Sequence, residues 1–177
     1  RLSQAETIYN QILQSNPDQP IALHLLGVIA HQTGKNNLAV DLITKALRLK
    51  PDFAEANSNL GNTLRELGRL DEAVTHCKKA LSLKPVFAEA HNNLGQLLLE
   101  EREIDEAFTH CHEAVRLQPD LAEGQSNLGN VLREQGQLEN AKVCYREALR
   151  RNPRIGMVYN NMAQALQEEG QLDEAIS

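Results

Sequence analysis

Residues 54–87 read AEANSNLGNTLRELGRLDEAVTHCKKALSLKPVF, and the spacing within this stretch decides the fold. Asn57, Leu60, Gly61 and Leu64 stand three or four apart, as do Ala73, Cys77, Ala80 and Leu81, so each half presents one amphipathic helical face. Gly68 lies where the first helix must end and reverse, Leu70 or Asp71 opens the second, and the ring of Pro85 stops it. The stretch is predicted to be a helical hairpin. Its small residues at Gly61, Ala73 and Ala80 suit two helices packed about 8–10 Å apart, where longer side chains would hold them away from each other.

Working outward, the same landmarks return every 34 residues: Pro17, Pro51, Pro85, Pro119 and Pro153; Gly27, Gly61, Gly95 and Gly129, with Ala163 on the next rung; and Ala5, Ala39, Ala73, Ala107, Ala141 and Ala175. The chain is therefore a linear array. Helix pairs are predicted at 20–33 with 37–50, 54–67 with 71–84, 88–101 with 105–118 and 122–135 with 139–152. A further pair joins 156–169 to a helix starting at 173, and residues 4–15 are a lone second helix. The array reads as one domain: a partial repeat at 1–19, complete repeats at 20–53, 54–87, 88–121 and 122–155, and a partial repeat at 156–177. One hairpin cannot bury its apolar stripe alone, so the units must stack into an all-α solenoid of 34-residue hairpins with a concave face.

Composition narrows the function. In 177 residues, 41% hydrophobic and 24% charged with a net charge of −6, the apolar content suits a folded chain, and the acidic surface repels phosphate backbones. With 3% aromatic residues there is little to stack bases on, so a nucleic-acid partner is not expected. No apolar run approaches the roughly 18 residues that span a bilayer and no signal segment opens the chain, so no membrane partner is expected and the expected compartment is the cytoplasm. Three cysteines make no disulfide scaffold, which fits a reducing compartment.

The leucine–glycine pairs Leu26-Gly27, Leu60-Gly61, Leu94-Gly95 and Leu128-Gly129, with the alanine and proline rungs, resemble tetratricopeptide repeats over the whole chain. Residues 54–62 (AEANSNLGN) and 122–130 (AEGQSNLGN) are similar to the superhelical repeat domain of protein O-GlcNAc transferases and to related bacterial repeat proteins. That resemblance implies a right-handed superhelix whose inner face binds extended polypeptide through a ladder of asparagines, here Asn59, Asn93, Asn127 and Asn161. Leu25 interrupts the ladder one repeat earlier. The family's aspartate ladder is matched in charge by Glu55, Glu89 and Glu123 and broken at Ile21 and Met157. Arg102 departs from the pattern too, standing where Gly34, Gly68, Gly136 and Gly170 make the turn.

The residues support a ladder without the family. At about 100° per residue, Glu55, Asn59, Asn62 and Glu66 cluster on the side of the helix opposite Leu60 and Leu64. The stripe recurs as Glu89, Asn93, Gln96 and Glu100, as Glu123, Asn127, Asn130 and Glu134, and as Asn161, Gln164 and Glu168. Asparagine is a mediocre helix former, whereas its amide offers both a donor and an acceptor to a peptide unit of any sequence. Two readings stay open: a groove that grips backbone, or amides bonding to one another and to adjacent helices. At an expected rung spacing of about 10 Å, and about 3.3–3.6 Å of extended chain per residue, each rung would serve about three ligand residues.

Other chemistry finds little support. A clamp for a C-terminal carboxylate needs cations where Ser58, Asn92, Ser126 and Asn160 stand. His76-Cys77 and His110-Cys111-His112 resemble metal ligands, but Cys77 and Cys111 share a rung with Tyr9, Ile43 and Tyr145 on the apolar seam and read as buried thiols. No phosphate loop, serine elbow or catalytic dyad is found, so no enzyme, cofactor or metal is expected within the chain. The expected function is a scaffold holding an extended protein segment in an Asn-lined groove. Its rivals are the substrate-recognition arm of a larger glycosyltransferase and a structural self-assembly module joined end to end.

Overall fold

The computed structural model describes residues 2–170, and the helix expected at 173, with the Ala175 rung, lies outside them. Those residues form ten helices and no strand: α1 (Leu2–Ser15), α2 (Pro20–Gln32), α3 (Asn36–Leu49), α4 (Ala54–Glu66), α5 (Leu70–Leu83), α6 (Ala88–Glu100), α7 (Ile104–Leu117), α8 (Ala122–Glu134), α9 (Leu138–Arg151) and α10 (Gly156–Glu168). The fold is all-α, as the periodicity predicted.

Two compact units contain them, Arg1–Pro85 and Val86–Ser177. In the first, α2 with α3 and α4 with α5 are hairpins, α1 packs on α2, α3 packs on α4, and α2 lies beside α4. The second repeats the scheme: α6 with α7 and α8 with α9 are hairpins, α7 packs on α8, α9 packs on α10, and α6, α8 and α10 stand side by side. In each unit the first helices of successive hairpins thus form a row of their own, and that row carries the polar stripe.

The seam between the helices of a hairpin explains the small residues. Ala39, Ala46, Ala73, Ala80, Ala107, Ala114, Ala141 and Ala148 are fully buried, and so are Ile43, Cys77, Cys111 and Tyr145, which stand one per hairpin on a shared rung. Each of those four faces the glycine of its partner helix. A Cβ on Gly61 would lie 2.5 Å from Cys77 Sγ, and one on Gly129 would lie 2.5 Å from Tyr145 Cε1. Burial pushes the Cys77 and Cys111 thiols up to about 12, so they stay protonated and act as small apolar side chains, as their rung suggested.

The second helices begin at 36, 70, 104 and 138, one residue ahead of the predicted ranges and at the earlier of the two openings read for residues 54–87, because the carbonyl just ahead of each already accepts a helical bond. Lys35 O takes Ala39 N–H at 3.0 Å and Arg69 O takes Ala73 N–H at 3.0 Å. Before them the chain reverses through a left-handed residue. Arg69 N–H donates to Leu64 O at 3.0 Å and Glu103 N–H donates to Leu98 O at 2.8 Å, the six-residue closure of a Schellman turn. Gly34, Gly68 and Gly136 take φ of 75°, 73° and 73° at that position, and Arg102 is held at 66°.

A side chain in this region costs about 1 kcal/mol, and the Arg102–Glu134 ion pair at 3.2 Å, with Arg102 80% exposed, returns little. Arg102→Gly is therefore expected to stabilise the chain by about 0.5–1 kcal/mol in urea melts. A loss of stability would show that the ion pair outweighs the strain.

Candidate functional site

Asn59 sits on α4, Asn93 on α6, Asn127 on α8 and Asn161 on α10. Each is half-buried except Asn127, which is 7% exposed. Asn59 Nδ2 lies 2.8 Å from His24 Nε2 on α2. Asn127 Nδ2 donates to Asn92 Oδ1 on α6 at 2.9 Å, and Asn161 Nδ2 donates to Asn130 Oδ1 on α8 at 2.8 Å. In all three, the amide nitrogen is turned back to the preceding first helix, and Oδ1 meets no donor among the described residues. These three therefore join neighbouring first helices through their nitrogens while leaving their carbonyl oxygens without a donor. This arrangement is compatible with both readings left open by the sequence: in these three amides the nitrogen bonds to the preceding first helix and the oxygen meets no donor.

The next positions along the stripe are bound more fully. In the first unit Asn62 Nδ2 lies 3.2 Å from His31 Nε2, His31 Nδ1 lies 3.1 Å from Asn36 Oδ1, and Asn36 Nδ2 donates to Glu66 at 3.0 Å. In the second unit Asn130 Oδ1 accepts from both Asn161 and the Tyr145 hydroxyl, the latter at 2.9 Å. Gln96 is half-buried and Gln164 exposed. These side chains tie one hairpin to the next, so the stripe is a network as much as a surface.

The carboxylates divide. Glu55 accepts from Lys84 Nζ at 3.1 Å, and its pKa is lowered by a hydrogen bond from its own backbone N–H and by Lys84. Glu89 and Glu123 are exposed at the starts of α6 and α8. Burial lowers the pKa of His24, against the opposing field of Glu55, and of His76, whose Nδ1 lies 2.9 Å from Asn57 Oδ1. His91 and His110 bring their Nδ1 atoms to 2.9 Å with ring centres 5.1 Å apart. That separation is close to two ring radii plus the N···N distance, so the nitrogens point along one line, as a hydrogen bond requires, rather than converging on an ion. Among the described residues, no group of three or more His, Cys, Asp or Glu side chains is placed to hold a metal ion.

His24, Asn92 and Tyr145 were not singled out as parts of the site by their spacing. The signal was nonetheless present. His24 and Asn92 stand 35 residues before the ladder asparagines they bond, one repeat plus one position, a step invisible to a search at 34.

Models described as tetratricopeptide repeat match residues 1–54, 42–75, 88–121, 122–155 and 144–177, and one described as TPR repeat matches 61–101, so that together they run from end to end. No curated protein sequence matches the chain. Among solved structures, TTC0263, a thermophilic TPR protein in Thermus thermophilus, is similar at 25% identity with a TM-score of 0.77, over 94% of this chain and 91% of that one. YrrB, described as a TPR protein with an unusual peptide-binding site, is similar at 19% identity and a TM-score of 0.68, over 94% and 86%. The APC/C hetero-tetramer Cut9-Hcn1 gives a TM-score of 0.88 at 19% identity, over 95% of this chain and 34% of that one.

Proposed function

Because the chain belongs to the tetratricopeptide repeat family, whose members act as protein-interaction scaffolds, we propose that it is a non-enzymatic scaffold holding an extended polypeptide along the asparagine row of its first helices. The observation that carries this reading is the common orientation of three ladder amides, nitrogen bonded inward and oxygen left without a donor. An extended backbone supplies N–H groups that no neighbouring strand has taken, and a carbonyl acceptor takes them whatever the side chain. Exposed Glu89 and Glu123 beside Asn93 and Asn127 favour a segment carrying basic or hydroxyl-bearing side chains.

Replacing Asn127 and Asn161 together by Ala removes two such acceptors, each about 0.5–1.5 kcal/mol net. Titrated with unstructured ten-residue Lys/Ser/Gly peptides, the double variant is expected to bind about tenfold or more weakly than the parent. Circular dichroism should show helicity intact, since Ala is the better helix former. Equal affinity would leave the amides as groove packing and sink the backbone-binding mechanism.

A finer reading makes the array the substrate-holding arm of a larger glycosyltransferase, on the likeness of residues 54–62 and 122–130 to the O-GlcNAc transferase repeats. The mass of the native polypeptide and an assay for sugar transfer to the bound peptide decide that point.

A further inference from the structure

The ladder amides of the two units are held by different chemistry. Asn127 donates to the carbonyl oxygen of Asn92, an acceptor at every pH, whereas Asn59 faces a ring nitrogen. With Asn59 Nδ2 the donor, His24 Nε2 must be the bare nitrogen, so the neutral ring carries its proton on Nδ1. A second proton converts Nε2 into a donor. Two N–H groups cannot face each other at 2.8 Å, and the short planar amide of Asn59 relieves the conflict by rotating half a turn, which places Oδ1 against the ring and Nδ2 where Oδ1 had been.

We propose that His24 is a positioning residue for the rung at Asn59: neutral, it holds the amide with its oxygen available to a bound chain, and protonated, it turns the amide over to present the nitrogen. The inference rests on the reading of the asparagine row as a peptide-binding face.

The surroundings of the ring suit this role. His24 is 5% exposed, and the Phe53 ring meets it edge-on with centres 4.7 Å apart, so the imidazole has little freedom to swing away. The charged groups around it are Glu55 of α4, whose field favours the proton; Lys84, just past the end of α5, which is paired with Glu55; and Lys50, whose Nζ sits 4.7 Å from the centre of the Phe53 ring. Burial opposes the proton more strongly than Glu55 favours it, so the reversal belongs below the ordinary histidine value of 6.5. Above that point the first-unit rung accepts, as Asn127 does. Below it the rung donates, against a ligand N–H that needs an acceptor. The ligand then loses one hydrogen bond and meets a like dipole.

The test has two arms. The first uses 15N-labelled protein without ligand, following the His24 ring nitrogens and the Asn59 side-chain amide from about pH 8 to about pH 5. Both are expected to move with one shared midpoint below 6.5, and an Asn59 amide that stays still while His24 titrates overturns the proposal. The second measures the affinity of histidine-free Lys/Ser/Gly peptides at both ends of that range for the parent and for His24→Asn, which installs the side chain that Asn92 presents to Asn127. The parent is expected to lose about three- to tenfold on acidification, and His24→Asn to lose much less relative to its own affinity at neutral pH. The same acid loss in both proteins overturns the proposal. Should no peptide bind either protein at any pH, the groove reading fails, and the amide titration alone decides whether His24 orients Asn59.

Discussion

Tyr145→Ala is expected to lower the unfolding free energy by about 3–5 kcal/mol, the range for truncating a fully buried aromatic ring. Tyr145 is 0% exposed and its ring fills the space in front of Gly129 between α8 and α9. Removing it leaves a void that the flanking Ala141 and Ala148 are too small to close. Its hydroxyl donates to Asn130 Oδ1 at 2.9 Å, and burial pushes the phenol up to about 12, so it donates throughout the working range. Tyr145→Phe separates the two contributions. Asn130 Oδ1 keeps the bond from Asn161, so no buried acceptor is orphaned, and the loss should be only about 0.5–1.5 kcal/mol. Urea melts of the three proteins check the ordering; a Tyr145→Ala loss no larger than that of Tyr145→Phe would mean that the hairpin collapses around the missing ring.

Gly61→Ala should destabilise by about 1–3 kcal/mol, against the gain of about 1 kcal/mol that helix propensity alone assigns to Ala over Gly. The new Cβ would stand 2.5 Å from Cys77 Sγ and 3.1 Å from the Ala73 carbonyl oxygen, both closer than ordinary contact. The nearer obstacle is a side-chain atom, so Cys77→Ala should rescue Gly61→Ala and the two changes should be strongly non-additive. Gly95→Ala makes the same clash with Cys111 Sγ at 2.5 Å, and the Cys111 backbone nitrogen at 3.0 Å stands where no side-chain truncation removes it, as the Ala73 carbonyl oxygen does for Gly61. Rescue by Cys111→Ala should therefore be partial, as it is at Gly61, because a backbone atom about 3 Å away remains in both seams. Denaturation of both double-mutant cycles measures this, and additivity in either cycle would refute a seam set by the glycine and its facing side chain.

These two cases mark the limit of what sequence legibly carries. Helix existence, the hairpin pairing and the left-handed turn at Arg102 are local properties. A 3.6-residue apolar period, a proline that cannot continue a helix and a position filled elsewhere by glycine each act through a few neighbouring residues. Repetition at 34 residues multiplied each signal, so stacking and the buried rung of Ile43, Cys77, Cys111 and Tyr145 could be inferred without coordinates.

The state of the asparagine row lay beyond the sequence. Periodicity placed Asn59, Asn127 and Asn161 on one face, but an amide can be turned either way, and its orientation depends on what the preceding hairpin brings within about 3 Å. That neighbour is His24 for Asn59, Asn92 for Asn127 and Asn130 for Asn161, three different residues meeting three equivalent positions. The sequence by itself determined which residues line the row. Only the stacking of one helix on the next decided which half of each of these three amides is consumed by packing and which is left without a donor, because hydrogen-bond direction is a property of the pair and neither member carries it alone.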